Sequence, residues 1–174
     1  MAKKQTSKPK KETNTPKSYR QHRFILGCLL VLIAVALLIS FISYYVTGNY
    51  DQSQLGSIID RTDKTQNWLG KFGAYLADFF IYRGFGVASV IFVKSISMIG
   101  VYLILDLSVF KLRKSLFWDF FLIITFSLIF GFFWDQFPNL SGIIGFEINQ
   151  FIQDYIGKIG ALLLLVLIVI SFLI

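Results

Sequence analysis

The stretch that decides the fold is FILGCLLVLIAVALLISFISYYV, residues 24–46. It contains no charged side chain, and a helix of about 20 such residues is long enough to cross the hydrocarbon core of a bilayer. Its apolar part is longer than the roughly 7–15 residues of a signal peptide, and no small-x-small cleavage site follows it. The sequence therefore predicts an uncleaved transmembrane helix as the first span.

The composition and charge distribution indicate a membrane protein with one basic tail. Hydrophobic residues make up 55% of the 174 residues, charged residues 16%, and the mean hydropathy is +0.65, which is unlike a soluble domain. The net charge is +7. Eight cations precede the first span: Lys3, Lys4, Lys8, Lys10, Lys11, Lys17, Arg20 and Arg23.

We expect residues 1–23 to form a disordered basic tail on the cytoplasmic side, because they are too polar to bury a core. Anionic lipids of the inner leaflet attract such a tail by about 1 kcal/mol per cation near the surface. Direct nucleic-acid binding is not expected, because the tail has Tyr19 as its one aromatic residue and no interleaved stacking pattern.

Three further spans are predicted, at residues 87–105, 116–133 and 159–174. The loop between the second and third spans is basic, which favours the cytoplasm, whereas residues 135–157 contain no Lys or Arg, which favours the outer side. We therefore expect a multi-pass membrane protein with both termini in the cytoplasm. The basic residues of the inner loop are Lys111, Arg113 and Lys114.

A short motif, N-x-x-G-x-x-G, occurs twice on the predicted outer side, as NWLGKFG at 67–73 and NLSGIIG at 139–145. In the first copy we predict a short surface helix at 73–82, with Gly84 and Gly86 as the bend into the membrane. The fold class is therefore predicted as all-α, with four transmembrane helices in two hairpins. Each hairpin would carry a short amphipathic helix on the outer face.

In the second copy, the amphipathic pattern is clear, and Gly157 and Gly160 follow it. The residues predicted to share its apolar face are Ile148, Phe151, Ile152, Tyr155 and Ile156. The residues predicted on its polar face are Glu147, Gln150 and Asp154.

Lys94 is the unusual residue, since it lies within the second predicted span. A cation near mid-bilayer costs roughly 2.5–3.5 kcal/mol, so we expect it to face the bundle interior, water or a partner. Asp119 is placed near a span end, and Thr125 and Ser127 are placed at the level of Lys94. We interpret Lys94 as a snorkelling or hydrogen-bonded structural residue. The alternative is an ion pathway in a small channel, holin or transporter.

Catalytic, cofactor-binding and metal-binding residues are not predicted. Cys28 and His22 are the only cysteine and histidine, so no disulfide, triad or metal cluster can be assembled from them. Asp78 and Glu147 are interpreted as solvated carboxylates on the outer side. No G-x-x-x-x-G-K-[ST] phosphate loop is present, so we expect this chain to be no enzyme and to bind no nucleotide.

The stretch NWLGKFGAYLADFFIYRGFGVA at 67–88 resembles the membrane domain of FtsK/SpoIIIE-type DNA translocases. The resemblance consists of a G-x-x-G-A-x-L-A-D block at 70–78 and a Phe-Gly step into the second span. The stretches SFISYY at 40–45 and LSGIIG at 140–145 are also similar to that family. The resemblance extends over residues 20–174 and does not include Lys94.

The resemblance implies a four-helix anchor in the bacterial inner membrane, part of a hexameric protein that joins the division septum. Its implied partners are the lipid bilayer, other copies of the chain and membrane proteins of the septum. A linker and a cytoplasmic ATPase motor that pumps chromosomal DNA would lie beyond the membrane part. The last span reaches only about 24 Å at 1.5 Å per residue, so we expect the chain to be cut from a longer protein.

Overall fold

The computed structural model describes residues 17–54 and 64–173, and these contain helices and no strand. A π-helical turn, Asp78–Phe85, and a 3-10 turn, Gly86–Ser89, lie between the second and third α-helices, and a 3-10 turn, Val109–Leu112, precedes the fourth. The α-helices are α1 (Lys17–Gln54), α2 (Gly70–Ala77), α3 (Val90–Ile104), α4 (Arg113–Gly131) and α5 (Pro138–Leu173).

Within the described residues, four helical stretches are long and apolar enough to cross a membrane: Ser18–Gly48, Gly70–Ile104, Val109–Gly131 and Pro138–Phe172. The predicted class, all-α with four membrane spans, is confirmed. The second and fourth stretches start well before the predicted spans at 87 and 159, because the segments that precede these spans are also helical. The arrangement as two hairpins with amphipathic outer helices stays a prediction.

The prediction of a disordered tail is wrong for the part of the tail that the structure describes. Residues 17–23 form the first turns of α1, while residues 1–16 lie outside the described residues. The helix is held here because Arg23 Nη1 lies 3.0 Å from a carboxylate oxygen of Asp106, and Arg23 also donates a hydrogen bond to the carbonyl of Leu107. A tertiary contact therefore orders a stretch whose composition favours disorder.

At its other end, α1 continues to Gln54, beyond residue 46 where the predicted first span ends. Thr47 donates a hydrogen bond to the Asp51 carboxylate over 2.9 Å, and the backbone N–H of Gln66 donates to the same carboxylate over 2.6 Å. These bonds give polar residues partners inside the fold, and Asp51 is fully buried. Residues 55–63 lie outside the described residues.

The spans pack in close pairs through glycines. A Cβ atom on Gly27 of α1 would lie 2.7 Å from the carbonyl oxygen of Gly100 of α3, and a Cβ on Gly131 of α4 would lie 2.9 Å from the carbonyl oxygen of Gly145 of α5. Because lipid supplies no hydrophobic driving force between helices, small residues that let backbones approach are a main source of packing energy in membranes. Thus α1 packs on α3, and α4 on α5.

The apolar core lies on the second half of α1. Phe41 and Tyr44 are buried there against Ala77 and Ile81 of the stretch that follows the first motif. Many other apolar side chains are exposed, such as Leu163 on α5. Exposure of this kind suits helices surrounded by lipid, since the hydrocarbon core is as apolar as the side chains.

Both described termini and the α3–α4 loop lie at one end of the bundle. Arg23 contacts Asp106 of that loop, and the ring of Phe172 lies 5.3 Å from that of Trp118 in the second turn of α4. We call this end the basic end. Its basic residues with described side chains are Arg20, Arg23, Lys111, Arg113 and Lys114.

Candidate functional site

Four glycines adopt a left-handed backbone conformation, and they delimit the two copies of the repeated motif and the helices that follow. Gly70 and Gly86 both have φ 63°, Gly142 has φ 66° and Gly157 has φ 71°. We name residues 67–86 the first connecting segment and residues 139–157 the second. Residues with a Cβ rarely adopt such φ values, so glycine is favoured at these four positions. The positive φ values therefore recur in both copies of the repeated motif.

The two connecting segments touch at a point that we call the glycine crossing, formed by Gly84 and Gly86 of the first segment and residues 140–142 of the second. A Cβ on Gly86 would overlap the carbonyl oxygen of Leu140, and one on Gly142 would overlap that of Gly84 and lie 2.5 Å from that of Ile81. Gly84 itself has non-helical angles, φ −89° and ψ −122°. The bend predicted at Gly84 and Gly86 is therefore present.

Each connecting segment is hydrogen-bonded to a neighbouring span by a buried serine. Ser40 of α1 donates to the carbonyl of Gly73, and Ser127 of α4 donates to the carbonyl of Ser141 over 2.6 Å. Both hydroxyls are buried, and hydrogen bonds of this type satisfy backbone groups where water is scarce. The two bonds are of the same type but reach different motif positions, since Gly73 is the last residue of the first copy and Ser141 is the third residue of the second.

The apolar face predicted for the second connecting segment does not face the bundle. Phe151, Tyr155 and Ile156 are exposed, whereas Asn149 is buried and donates a hydrogen bond to the carbonyl of Leu128 over 2.9 Å. Asn149 follows Gly145 by one helical turn, so these two residues lie on the same face of α5. That face, formed by a glycine and a polar side chain, packs against α4. The placement of the apolar face at a membrane interface stays a prediction.

Lys94 forms an ion pair inside the spans. Its Nζ lies 2.5 Å from Oδ1 of Asp119, and Ser95 donates a hydrogen bond to Oδ2 over 2.8 Å. At about 1.5 Å per residue from Ile104 and Arg113, the inner ends of α3 and α4, Lys94 lies roughly 15 Å into the bundle and Asp119 roughly 9 Å. The Asp119 side chain is 4% exposed and that of Lys94 is 54% exposed.

The structure corrects the predicted surroundings of Lys94. Asp119 is its partner, not Thr125 or Ser127, because α4 already begins at Arg113 and carries Asp119 into the span. The long lysine side chain covers the remaining difference in depth. The prediction that Lys94 is hydrogen-bonded within the protein agrees with this geometry, and the ion pair joins the α1–α3 half to the α4–α5 half.

A family model described as the 4TM region of DNA translocase FtsK/SpoIIIE matches residues 19–174. The chain belongs to this family. The comparisons with curated proteins and with solved structures give no match. The match covers all four spans, both connecting segments and the ion pair, so the features described above belong to the membrane-anchoring region of FtsK/SpoIIIE translocases.

The structure of this FtsK/SpoIIIE anchor also shows the surroundings of the other residues that were considered as candidate site residues from the sequence. Cys28 is partly buried, and His22 is exposed and hydrogen-bonded to Ser18 over 3.3 Å. Glu147 is exposed, but Asp78 is buried and lies 2.7 Å from Arg83, so its interpretation as a solvated carboxylate is wrong. Within residues 17–54 and 64–173 no three His, Cys, Asp or Glu side chains are grouped as for a metal.

Sequence reasoning missed two functional features, Asp119 as an ion-pair partner and Asn149 as a bundle-facing residue. The sequence contained a signal for the role of Asp119, since this residue lies between aromatic residues in a stretch that is apolar enough to cross a membrane. A lone anion and a lone cation in neighbouring spans favour each other as partners. Asn149 had a weaker signal, namely its spacing of four from Gly145 on one helix face.

Proposed function

We propose that this chain is the membrane-anchoring and septum-targeting domain of a DNA translocase that acts in cell division and chromosome segregation. The observation that carries the proposal is the family match over residues 19–174. The four spans support the anchoring part. The cytoplasmic ATP-driven motor of such a translocase lies outside this chain under the proposal, so the chain itself positions the motor and performs no catalysis.

We further propose that the basic end faces the cytoplasm of a bacterial inner membrane. The support is the positive-inside rule, applied to the end where the first turns of α1 meet the α3–α4 loop. Five more lysines occur in residues 1–11. The connecting segments then lie towards the outer side.

Cysteine labelling of intact cells tests this orientation. In a Cys28→Ser background, Lys111→Cys and Asp135→Cys each place one thiol at an exposed turn, at opposite ends of the bundle. A membrane-impermeant maleimide should label position 135 in intact cells and position 111 only after the cells are opened. Labelling of position 111 from outside contradicts the proposed orientation.

The partners proposed for the chain are the lipid bilayer, further copies of the chain and membrane proteins of the division septum. We expect a homo-oligomer, and a hexamer is the form that the resemblance implies. Chemical cross-linking in native membranes measures the number of copies. A chain that remains monomeric at every cross-linker concentration contradicts the oligomer and leaves the family assignment unaffected.

Localisation of a fluorescent fusion tests septum targeting. The fusion should be expressed in cells whose own translocase lacks its membrane region, so that it cannot be recruited by full-length copies. We expect a band at midcell for residues 1–174 and a uniform membrane signal for a matched control fusion that carries α1 alone. A uniform signal from both fusions contradicts targeting by this domain.

The ion pair gives less support to the alternative of a small channel, holin or transporter. The charge of Lys94 is bonded to Asp119, which is nearly fully buried, and such a pair is suited to holding two spans together. In liposomes, the wild-type chain and Lys94→Leu should show the same background ion flux. Flux through the wild type that Lys94→Leu abolishes, with assembly intact, supports the channel.

A further inference from the structure

A cleft of about 890 Å³ opens at the basic end, between the first turns of α1 and the α3–α4 loop. Its wall at the basic end is polar and includes Arg20 and Ser108, whereas the wall further along α1 and α3 is apolar and includes Leu26 and Leu103. The cleft lies where the first span begins, since the uncharged stretch starts at residue 24. A cleft that is polar at the basic end and apolar further along the spans matches the profile of a lipid.

The positive charge in the cleft is incompletely balanced. Arg23 has one guanidinium nitrogen 3.0 Å from Asp106 and another that donates to the carbonyl of Leu107, while its Nε is buried with no partner among the described residues. Arg20 reaches the same carboxylate only at 3.8 Å, and 74% of its side chain is exposed. Two guanidinium groups therefore share one carboxylate, and Arg20 has free donors that face the cleft opening.

The loop that forms the second wall is held in place by its own hydrogen bonds. Asp106 has φ 55° and ends α3, its N–H bonds the carbonyl of Leu103 over 3.2 Å, and the N–H of Leu107 bonds that of Tyr102 over 2.8 Å. This is the Schellman pattern, which usually has glycine at the left-handed position. The aspartate keeps the turn and also brings its carboxylate to the arginines, so the cleft is a defined feature of the fold.

We propose that this cleft binds one anionic phospholipid, with the lipid phosphate on Arg20 and an acyl chain along Leu26 and Leu103. A guanidinium presents paired N–H donors to two phosphate oxygens, and the extra charge of Arg20 is what an anionic headgroup balances. A nucleic-acid phosphate is a poorer occupant, because it has no apolar part to cover the apolar wall. The site depends on the membrane placement of the chain and is independent of septum targeting.

The test is lipid binding to the purified chain in detergent, followed by native mass spectrometry during titration with phosphatidylglycerol or phosphatidylcholine. Arg20→Gln is compared with Arg113→Gln, a matched loss of charge at an exposed position of the same end that does not line the cleft. We expect Arg20→Gln to bind phosphatidylglycerol roughly fivefold more weakly, as for one surface cation. Arg113→Gln should remain within about twofold of wild type.

A second variant blocks the cleft without changing the charge. Ser108 is exposed at its rim, so Ser108→Trp should fold normally, as judged by an unchanged melting temperature, and should reduce phosphatidylglycerol binding at least fivefold. Equal losses in Arg20→Gln and Arg113→Gln overturn the site in favour of general surface attraction. Equal binding of phosphatidylcholine by the wild type, or displacement of the lipid by glycerol phosphate, overturns an anionic lipid as the ligand.

Discussion

In the first connecting segment, no atom lies within 4 Å of a Cβ added to Gly70, whereas a Cβ added to Gly86 would overlap the carbonyl of Leu140. In the second connecting segment, a Cβ added to Gly142 would overlap the carbonyl of Gly84, whereas no atom lies within 4 Å of a Cβ added to Gly157. The four residues have nearly the same φ. The repeated motif thus sets the backbone in both segments, while the contact between the segments decides which glycines are crowded.

The asparagines that open the two segments differ as well. Asn67 donates to the carbonyl of Ser40 over 3.1 Å and so bonds the span that precedes its own segment. Asn139 instead accepts a hydrogen bond of 3.4 Å from the Tyr44 hydroxyl of α1, in the other half of the molecule. Equivalent positions in a repeat therefore take different roles once the halves pack together.

The largest expected effect comes from the crowded glycines. Gly142→Ala should lower the free energy of unfolding by about 3–5 kcal/mol, because it adds overpacking against two carbonyls to the strain of a positive φ. Gly157→Ala has the same φ strain without the overlap, so it should lose only about 1–2 kcal/mol. Reversible unfolding of the detergent-solubilised chain measures both values.

Gly86→Ala and Gly70→Ala repeat this comparison in the first connecting segment. We expect Gly86→Ala to resemble Gly142→Ala, and Gly70→Ala to resemble Gly157→Ala. If all four variants lost the same stability, φ strain alone would explain the glycines, and the crossing would have no energetic role.

The ion pair is the second place where the two halves meet. Asp119→Leu should cost about 2–3 kcal/mol, less than the 3–5 kcal/mol typical of a fully buried pair, because the Lys94 side chain is about half exposed. The double variant Lys94→Met with Asp119→Leu should recover most of this loss, since it leaves no unpaired charge. An additive double-mutant cycle in the same unfolding assay argues against coupling of the two residues.

The two buried serines, Ser40 and Ser127, should give a smaller effect that sharpens the comparison of the two connecting segments. Ser40→Ala and Ser127→Ala should each cost about 1 kcal/mol, since each removes one buried hydrogen bond. Melting temperatures of the two variants should fall by similar amounts. A large loss in one variant and none in the other indicates that only one half depends on its serine.

The smallest effect is expected at the Arg23–Asp106 ion pair, which joins α1 to the α3–α4 loop at the basic end. Asp106→Asn should cost about 0.5 kcal/mol, because both side chains are partly exposed and such pairs are weak. Asp106→Gly should lose no more than Asp106→Asn, because glycine adopts φ 55° readily. Thermal unfolding at low and high salt checks this, and a loss above about 2 kcal/mol would show that the contact is more important than its exposure suggests.

Several features could be predicted from the sequence because they depend on short stretches. Hydropathy over about 20 residues gave the number of spans, and the spacing of Gly84 and Gly86 gave the bend. Other features depend on a distant residue. Arg23 is helical because it contacts Asp106, and the second connecting segment turns Asn149 towards the bundle because Leu128 offers a carbonyl.

By itself, the sequence determined that this protein is helical, crosses the membrane four times and repeats a glycine motif, since apolar length and left-handed backbone positions are local properties of the chain. Only the tertiary structure decided that Lys94 pairs with Asp119, that Gly86 and Gly142 form the crossing while Gly70 and Gly157 remain open, and that Arg20 borders a cleft. These features join residues from different helices, and hydropathy and spacing carry no information on which helix faces meet.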